Sequence, residues 1–222
     1  MKEYAIIVAG GKGTRMNNVT SKQFIEVAGL PILMHTINAF IAYSSEVQII
    51  LVLPPDELEI WKALCVKFNY QVPMTIATGG DSRFQSVRNG LSKINDTEGL
   101  VAIHDGVRPL VGKDIIGASY HLAAVHKSAV AAVRLKESIR ITNQDTTKAV
   151  DRSDYRLIQT PQTFDLAMIK AAYEIKEEAS LTDDASVAER AGHKISLFEG
   201  SYANIKITTP EDLIIAEALM KE

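Results

Sequence analysis

Near its N-terminus the chain reads Tyr4-Ala5-Ile6-Ile7-Val8-Ala9-Gly10-Gly11-Lys12-Gly13-Thr14-Arg15-Met16. The first five residues are an apolar run that predicts a buried β-strand. The glycines that follow allow turn conformations closed to other residues and let backbone amides approach a ligand closely. Arg15 and, seven residues later, Lys22 add positive charge beside those amides. The segment therefore predicts a strand that leads directly into a phosphate-binding loop.

This loop differs from two common phosphate-binding loops. It is not a Walker A loop, because no Gly-Lys-Ser/Thr sequence closes it. It does not fit a dinucleotide-binding loop, because the next apolar strand, at 47–53, ends in two prolines and lies too far along the chain. The glycines alone also allow a tight turn without a ligand. The full pattern, Gly-Gly-x-Gly-Thr-Arg with a later lysine, resembles nucleotidyltransferases that join a nucleoside triphosphate to a sugar or polyol phosphate.

Composition limits the other classes of function. The chain has 222 residues, of which 46% are hydrophobic and 23% charged, as expected of one globular α/β domain spanning 1–222. A net charge of −3 gives no general attraction to nucleic acid or anionic lipid. We find no apolar run of about 20 residues and no signal peptide. The single cysteine, Cys65, forms no internal disulfide, which favours a cytoplasmic location.

Strands and helices are predicted to alternate from residue 4 to residue 133. After the first strand, further strands are predicted at 47–53, 72–77, 100–103 and 129–133. Four helices are predicted between them: one begins at Pro31, one is capped by Asp56, one follows Asp81, and one covers 113–126. This series predicts a single, mainly parallel, doubly wound sheet. Such sheets bind ligands at the carboxyl ends of their strands. The glycine loop, Gly79-Gly80-Asp81 and His104-Asp105 all fall there.

The pattern changes between residues 134 and 156. Residues 138–142 alternate like a strand with one solvated face, residues 143–145 predict a turn, and residues 147–150 predict a returning strand. The segment has few apolar residues for a core of its own. It is either a surface hairpin or an arm that packs on a second subunit.

The C-terminal third is predicted to contain helices and two short strands. We expect a helix at 164–179 and another capped by Thr182, with Asp183 and Asp184 in its first turn. Strands are expected at 195–198 and 204–208. Thr209 and Pro210 then begin a last helix that runs to about residue 220.

A small number of side chains are candidates for metal binding, substrate binding or catalysis. Asp105 offers oxygen ligands for Mg²⁺, and Arg108 either binds a phosphate or pairs with Asp105 to fix the loop. Asp81 and Ser86 either read a base or act as a helix cap and a surface hydroxyl. Lys206 is either solvated or functional. The sequence contains no Ser/His/Asp or Cys/His pattern that indicates a covalent nucleophile.

Seven collinear segments resemble the 2-C-methyl-D-erythritol 4-phosphate cytidylyltransferase family, which serves non-mevalonate isoprenoid synthesis. They cover nearly the whole chain and are residues 9–23, 79–83, 104–109, 150–152, 160–162, 182–186 and 204–213. The resemblance implies a Rossmann-like nucleotidyltransferase fold with a protruding β-arm at 134–156. The chain departs from the family pattern at two positions: Ser21 replaces the usual proline, and Ser138 replaces the usual threonine.

The resemblance also implies the site. Arg15 and Lys22 would neutralise the α-phosphate region of CTP, and Asp105 would bind Mg²⁺ or another divalent cation. In a homodimer the arm would cross to the other subunit, so Ser138 and Arg152 would serve the neighbouring site. The residues that would hold the nucleotide are Ala9, Gly10, Gly11, Gly13, Gly80, Asp81 and Ser86. Those that would surround the methylerythritol phosphate are Asp105, Arg108, Ser138, Arg152 and Lys206.

Three other functions remain open. A ribitol-5-phosphate cytidylyltransferase has the same loop and a similar last strand, whereas residues 151–153 and 182–186 favour the methylerythritol enzyme. A uridylyltransferase that acts on a hexosamine phosphate shares the Gly-x-Gly-Thr-Arg-Met element but is normally longer. A non-catalytic nucleotide-sensing protein on the same fold would not need Arg15, Lys22, Asp105 and Lys206 together.

Overall fold

The computed structural model describes residues 1–10, 21–143 and 145–221, and these contain eleven strands and seven α-helices. The strands are β1 (Glu3–Val8), β2 (Glu26–Val27), β3 (Leu30–Pro31), β4 (Gln48–Leu53), β5 (Thr75–Thr78), β6 (Leu100–Asp105), β7 (Ser128–Arg134), β8 (Arg140–Asn143), β9 (Thr146–Ala149), β10 (Arg156–Asp165) and β11 (Leu197–Glu199). The helices are α1 (Ile32–Tyr43), α2 (Leu58–Lys67), α3 (Arg83–Leu91), α4 (Lys113–His126), α5 (Leu166–Ala172), α6 (Asp184–Arg190) and α7 (Pro210–Leu219).

A central sheet of seven described strands has the order β11-β7-β10-β6-β1-β4-β5. Strand β1 pairs in parallel with β4 and β6, β4 pairs in parallel with β5, and β7 pairs in parallel with β11. Strand β10 lies between β6 and β7 and is antiparallel to both. The predicted mainly parallel sheet is confirmed.

Helices cover both faces of this sheet. On one face α1, α2 and α4 contribute buried side chains that include Leu33, Trp61 and Tyr120. On the other face α3, α5 and α6 contribute Phe84, Ile169 and others. Within β1, alternate side chains join opposite layers, because successive residues of a strand point to opposite faces. This explains why the run at 4–8 is continuously apolar and confirms the doubly wound fold.

Strand β10 was not predicted, and the predicted helix at 164–179 begins too early. Phe164 belongs to β10, and α5 spans only Leu166–Ala172. The strand escapes a hydrophobicity-based prediction because its centre buries polar side chains. Thr163 donates its hydroxyl to Ser119 at 2.8 Å, and the side-chain Oε1 of Gln162 accepts from the Ala185 backbone amide at 2.8 Å. In this strand the buried side chains are polar, and hydrogen bonds to specific partners stabilise them in the interior.

Two predicted helix caps are wrong. Asp183, not Thr182, caps α6, because its carboxylate accepts from the Ser186 amide at 2.9 Å. Asp56 does not cap α2, which has no side-chain cap and follows a 3-10 turn at Pro55–Glu57. The first error arises because Thr182 and Asp183 are neighbouring residues that both suit a cap. The second arises because the chain enters α2 directly from the 3-10 turn, without a side-chain cap.

The strand predicted at 204–208 is also wrong. These residues form no strand, and the Ile207 amide instead donates to the Val107 carbonyl at 2.9 Å. This contact still brings the last loop against the end of β6, where Lys206 reaches Asp105.

The predicted hairpin is confirmed as β8 paired with β9, in register from Arg140 opposite Ala149 to Asn143 opposite Thr146. All eight of its strand residues are exposed. Among the helices of the described ranges, none has the length and apolar character that crossing a membrane requires.

Candidate active site

A cavity of about 570 Å³ opens at the carboxyl ends of β1, β4, β5 and β6. It lies where the sequence predicts a ligand, because parallel strands bring their carboxyl ends to one edge of the sheet. The predicted site residues that line it are Ala9, Gly10, Lys22, Gly80, Asp81, Ser86, Asp105 and Lys206. Gly11, Gly13 and Arg15 lie outside the described residues.

Asp105, the last residue of β6, is surrounded by three cations. Its Oδ2 lies 3.0 Å from Lys206 Nζ and 3.2 Å from Arg108 Nε. Its Oδ1 lies 3.9 Å from Arg83 Nε. The carboxylate therefore holds the cations together on one side of the cavity, and the cluster as a whole is positive.

The ionisation of Asp105 follows from these neighbours. Burial opposes the charged form, but the positive charges of Arg83, Lys206 and Arg108 outweigh it and hold the pKa of Asp105 below its ordinary value. The group is therefore an anion at neutral pH.

Arg83 is held from behind by a buried carboxylate. Its two terminal nitrogens donate to both oxygens of Asp184 at 2.8 and 2.6 Å, and Tyr173 donates its hydroxyl to Asp184 at 2.6 Å. Asp184 is completely buried. The prediction that this residue serves the helix dipole in the first turn of α6 thus misses its main contact. A bidentate pair of this kind fixes both the position and the plane of the guanidinium.

Arg108 is fixed in the same way by the backbone. Its Nη1 donates to the Asn204 carbonyl at 2.9 Å, and the Asn204 side chain donates to the Thr160 carbonyl at 2.8 Å. The Thr160 hydroxyl in turn accepts from the Asp105 amide at 3.1 Å. Strand β10, the loop before α7 and the end of β6 therefore meet at Asp105. Arg108 does not line the cavity directly and pairs with Asp105 instead.

Ser86 shapes the other end of the cavity. Its hydroxyl donates to the Ser82 carbonyl at 2.8 Å and accepts from the Gly80 amide at 3.1 Å. Ser82, not Asp81, caps α3, so the alternative assignment of Asp81 as a cap is wrong. Ser86 is buried rather than a surface hydroxyl. A Cβ atom at Gly80 would lie 2.4 Å from Gln85 Cβ, so this turn requires glycine.

Lys22 enters the cavity wall from a short 3-10 helix, Lys22–Phe24. The neighbouring Gln23 is buried, and its side-chain Nε2 donates to the Ala9 backbone carbonyl at 2.9 Å. Residues before and after the glycine-rich segment are therefore in direct contact. Ala9, Gly10 and Lys22 thus line the same cavity, and their roles in binding and catalysis stay predictions.

Ser138 and Arg152 are not among the residues that line this cavity. Both are exposed, and Arg152 donates to the Lys136 carbonyl within its own arm. Within one chain, the structure does not bring these two residues to Asp105.

His104 precedes Asp105 but faces the interior. It is fully buried and lies edge-on to Phe40, with ring centroids 5.2 Å apart. Burial lowers the pKa of His104 to about 4, so the ring is neutral at physiological pH.

Asp105, the predicted metal ligand, has positively charged neighbours rather than further carboxylates. Within the part of the chain that the structure describes, no three His, Cys, Asp or Glu side chains group together as a metal site. Asp105 Oδ2 lies within hydrogen-bond distance of Lys206 and Arg108, whereas Arg83 Nε lies 3.9 Å from Oδ1. One carboxylate oxygen suits Mg²⁺, which is usually held by one or two carboxylates together with substrate phosphates.

The sequence analysis assigned no role in the site to Arg83, Asp184 or Glu57. Arg83 is the last residue of the segment 79–83, which resembles the family. Its place in that segment was the signal that could have identified it as a site residue. The partners of Asp184 and Glu57 are far away in the chain, and periodicity carries no information about them.

Comparison with known proteins identifies the family. A model of the 2-C-methyl-D-erythritol 4-phosphate cytidylyltransferase family (IspD) matches residues 4–222. The enzyme of that name from Bacteroides thetaiotaomicron is 46% identical over 99% of this chain and 100% of its own length. The one from Porphyromonas gingivalis is 47% identical over 99% of this chain and 98% of its own length.

Solved structures agree. The 4-diphosphocytidyl-2C-methyl-D-erythritol synthase from Anaerococcus prevotii has a TM-score of 0.85 and 31% identity, with 100% of this chain and 99% of that chain covered. The cytidylyltransferase from Thermus thermophilus has a TM-score of 0.81 and 26% identity, with both chains fully covered. The resemblance inferred from the motifs is confirmed: this chain belongs to the 2-C-methyl-D-erythritol 4-phosphate cytidylyltransferase family of nucleotidyltransferases.

Proposed function

We propose that this protein joins CTP and 2-C-methyl-D-erythritol 4-phosphate to give 4-diphosphocytidyl-2-C-methyl-D-erythritol and pyrophosphate, in the cytoplasm. Family membership over residues 4–222 supports the reaction. The main structural support for this reaction is the cluster in which Asp105 contacts Arg83, Arg108 and Lys206. Lys22 lines the same cavity. This cluster suits two phosphate-bearing substrates that must meet.

The chemistry requires little proton transfer. The attacking group is a phosphate monoester oxygen, whose second pKa near 6 leaves it ionised at neutral pH. This oxygen forms a bond to the α-phosphorus of CTP while the bond to pyrophosphate breaks. No general base is needed, and His104 does not provide one, because it is fully buried and burial lowers its pKa to about 4.

Catalysis therefore depends on position and charge. Lys22, with Arg15 as a predicted companion, neutralises the α-phosphate as negative charge moves towards pyrophosphate. Lys206 binds the acceptor phosphate or a neighbouring hydroxyl, and Asp105 orients Lys206 and accepts from acceptor hydroxyls. The fixed guanidiniums of Arg83 and Arg108 keep Asp105 ionised and stationary.

The nucleotide is proposed to bind between Ala9-Gly10 and Gly80-Asp81. Ser86 fixes the Gly80 turn and retains one lone pair, because one is used by the Gly80 amide. Gly10 and Gly79 pack around this hydroxyl, since a Cβ atom at either would lie 3.5 or 3.3 Å from Ser86 Oγ. Backbone at these positions therefore approaches the base and ribose without side-chain obstruction.

We further propose Mg²⁺ as the cofactor, which Asp105 would hold together with the triphosphate of CTP. When bound, Mg²⁺ neutralises and orients the triphosphate.

A homodimer is proposed on the basis of the arm. Apolar side chains are exposed on the hairpin and at its base, including Ile141 at 55% and Leu157 at 53%. Tyr155 and Ile158 extend this exposed surface. A second subunit would cover it and would receive Ser138 and Arg152 at its own cavity, as the resemblance implies.

The reaction is tested by pyrophosphate release with methylerythritol phosphate, Mg²⁺ and either CTP or UTP. Release with CTP and little with UTP is expected. Lys22→Ala should slow turnover about 100-fold, the scale of one lost charge-stabilising donor. Tight binding of CTP without turnover under all conditions would favour the nucleotide-sensing alternative.

A further inference from the structure

Glu57 holds the residues on both sides of Lys22. It ends the 3-10 turn Pro55–Glu57 after β4 and is only 7% exposed. Ser21 donates its hydroxyl to one oxygen of Glu57, and the side-chain amide of Gln23 donates to the other. The same Gln23 amide donates to the Ala9 carbonyl. One carboxylate thus fixes the residue before Lys22 and the residue after it.

The chemistry of Glu57 suits this task. A carboxylate presents two acceptor oxygens, and each takes a separate donor here. A buried carboxyl is unfavourable unless such donors are present. Burial raises the pKa of Glu57, and the hydrogen bonds from Ser21 and Gln23 lower it in part.

The other end of the Lys22–Phe24 turn is fixed by packing. Phe24 is buried and stacks on Trp61 of α2, with ring centroids 6.3 Å apart. Glu57 immediately precedes α2. The turn is therefore attached to one rigid element by a polar contact and an aromatic contact, and Lys22 lies in the cavity wall between them.

We propose that Glu57 is a positioning residue that sets the place of Lys22 against the transferred phosphate. The inference rests on the proposed function, which assigns Lys22 to that phosphate. Because misplacement of a reacting or stabilising group by about 1 Å can cost on the order of 100-fold in rate, loss of Glu57 should slow turnover although Glu57 touches no substrate.

The position of the turn can be measured without any reaction. Trp61 is the only tryptophan in the chain, so its fluorescence reports on the contact with Phe24. Glu57→Ala is expected to increase quenching of Trp61 by acrylamide, and Glu57→Gln to restore most of the protection. The matched control is Glu59→Ala, because Glu59 is exposed and pairs only locally with Lys62. Unchanged quenching in Glu57→Ala would overturn the proposal.

Kinetics then test whether the contact acts through Lys22. Glu57→Ala should lower kcat at least about tenfold with a smaller change in KM for CTP, and Glu57→Gln should recover most of it. In the Lys22→Ala background, Glu57→Ala should add no further loss, because the two changes remove the same interaction. Additive losses would overturn the inference.

Two results separate this inference from the proposed function. If Lys22→Ala retains normal turnover, the role of Lys22 in the reaction fails, whereas the quenching experiment still decides whether Glu57 fixes the turn. If Glu57→Ala does not fold, Ser21→Ala removes one of the two donors and should give a smaller change of the same sign in both assays. No change in either assay for Ser21→Ala would then contradict the proposal.

Discussion

The Lys206 ammonium lies 3.0 Å from the Asp105 carboxylate, across the cavity edge from the end of β6. Lys206 lies in a loop near the C-terminus, and Asp105 ends a central strand. The contact joins distant parts of the chain and leaves the lysine partly exposed towards the cavity. The Lys206 ammonium and the Asp105 carboxylate therefore both hold the fold together and form part of the proposed acceptor site.

Lys206→Met should weaken binding of the acceptor phosphate. A hydrogen bond to a charged group contributes about 1.5–3 kcal/mol, so kcat/KM for methylerythritol phosphate should fall roughly 10- to 100-fold. Initial rates at varied acceptor concentration measure this, with Lys62→Met as the control, since Lys62 is exposed on α2. An unchanged KM for the acceptor would remove Lys206 from the site.

Asp105→Asn should destabilise the protein in a pH-dependent way. The pKa of Asp105 is lowered in the folded state from an ordinary value of 3.8, so the ionised group stabilises the fold above that value and the contribution is lost as pH falls further. At pH 7 the variant should lose about 3 kcal/mol, the scale for breaking a buried ion pair. Urea unfolding should show this difference narrowing below pH 4.

The control for that measurement is Asp114→Asn, because Asp114 is exposed in the first turn of α4. Equal effects of the two substitutions at all pH values would contradict the assignment of Asp105 as a buried counter-ion.

Ser86→Ala should raise KM for CTP roughly 2- to 10-fold, because the Gly80 amide loses its side-chain acceptor and an ordinary hydrogen bond contributes about 0.5–1.5 kcal/mol. Ser92→Ala is the matched control, since Ser92 lies at the exposed end of the same helix. If both variants bind CTP equally well by calorimetry, Ser86 does not shape the nucleotide site.

Removal of Mg²⁺ by chelation should slow turnover about 100-fold or more, because several kcal/mol of charge stabilisation is lost. If Asp105 is a ligand, Asp105→Asn should also raise the Mg²⁺ concentration that gives half-maximal activity. The same half-maximal concentration in variant and parent would assign the ion to the triphosphate alone.

Mixed dimers test the arm. Subunits inactivated by Lys22→Ala and subunits inactivated by Arg152→Ala should together recover activity if Arg152 serves the neighbouring site. With random pairing, half of the dimers are mixed and each has one intact site, so recovery should approach about a quarter of the parent activity. Mixed dimers that form but remain inactive would place Arg152 in its own subunit's site.

The sequence predicted the sheet and the location of the cavity because both follow from local patterns. Apolar runs such as 4–8 and 100–103 identify central strands, and glycines at 79 and 80 identify the turn after β5. Strand β10 escaped because Gln162 and Thr163 are buried through partners in α4 and α6. The number of strands therefore depended on contacts between distant residues.

The site was predictable to a similar extent. Asp105, Lys22 and Ser86 were found because each lies next to a recognisable strand end or motif. Arg83 and Asp184 were not, since their pairing joins positions 101 residues apart and buries a carboxylate that sequence patterns place in solvent. The proposed chemistry requires a fixed orientation of Arg83, and this orientation comes from its buried pairing with Asp184.

The central claim is tested most directly by measuring pyrophosphate release with Mg²⁺ and CTP, offering methylerythritol phosphate and ribitol 5-phosphate in separate reactions. We predict rapid release with methylerythritol phosphate and little or none with ribitol 5-phosphate. Release with ribitol 5-phosphate alone would contradict the proposed acceptor while leaving the cytidylyl transfer in place.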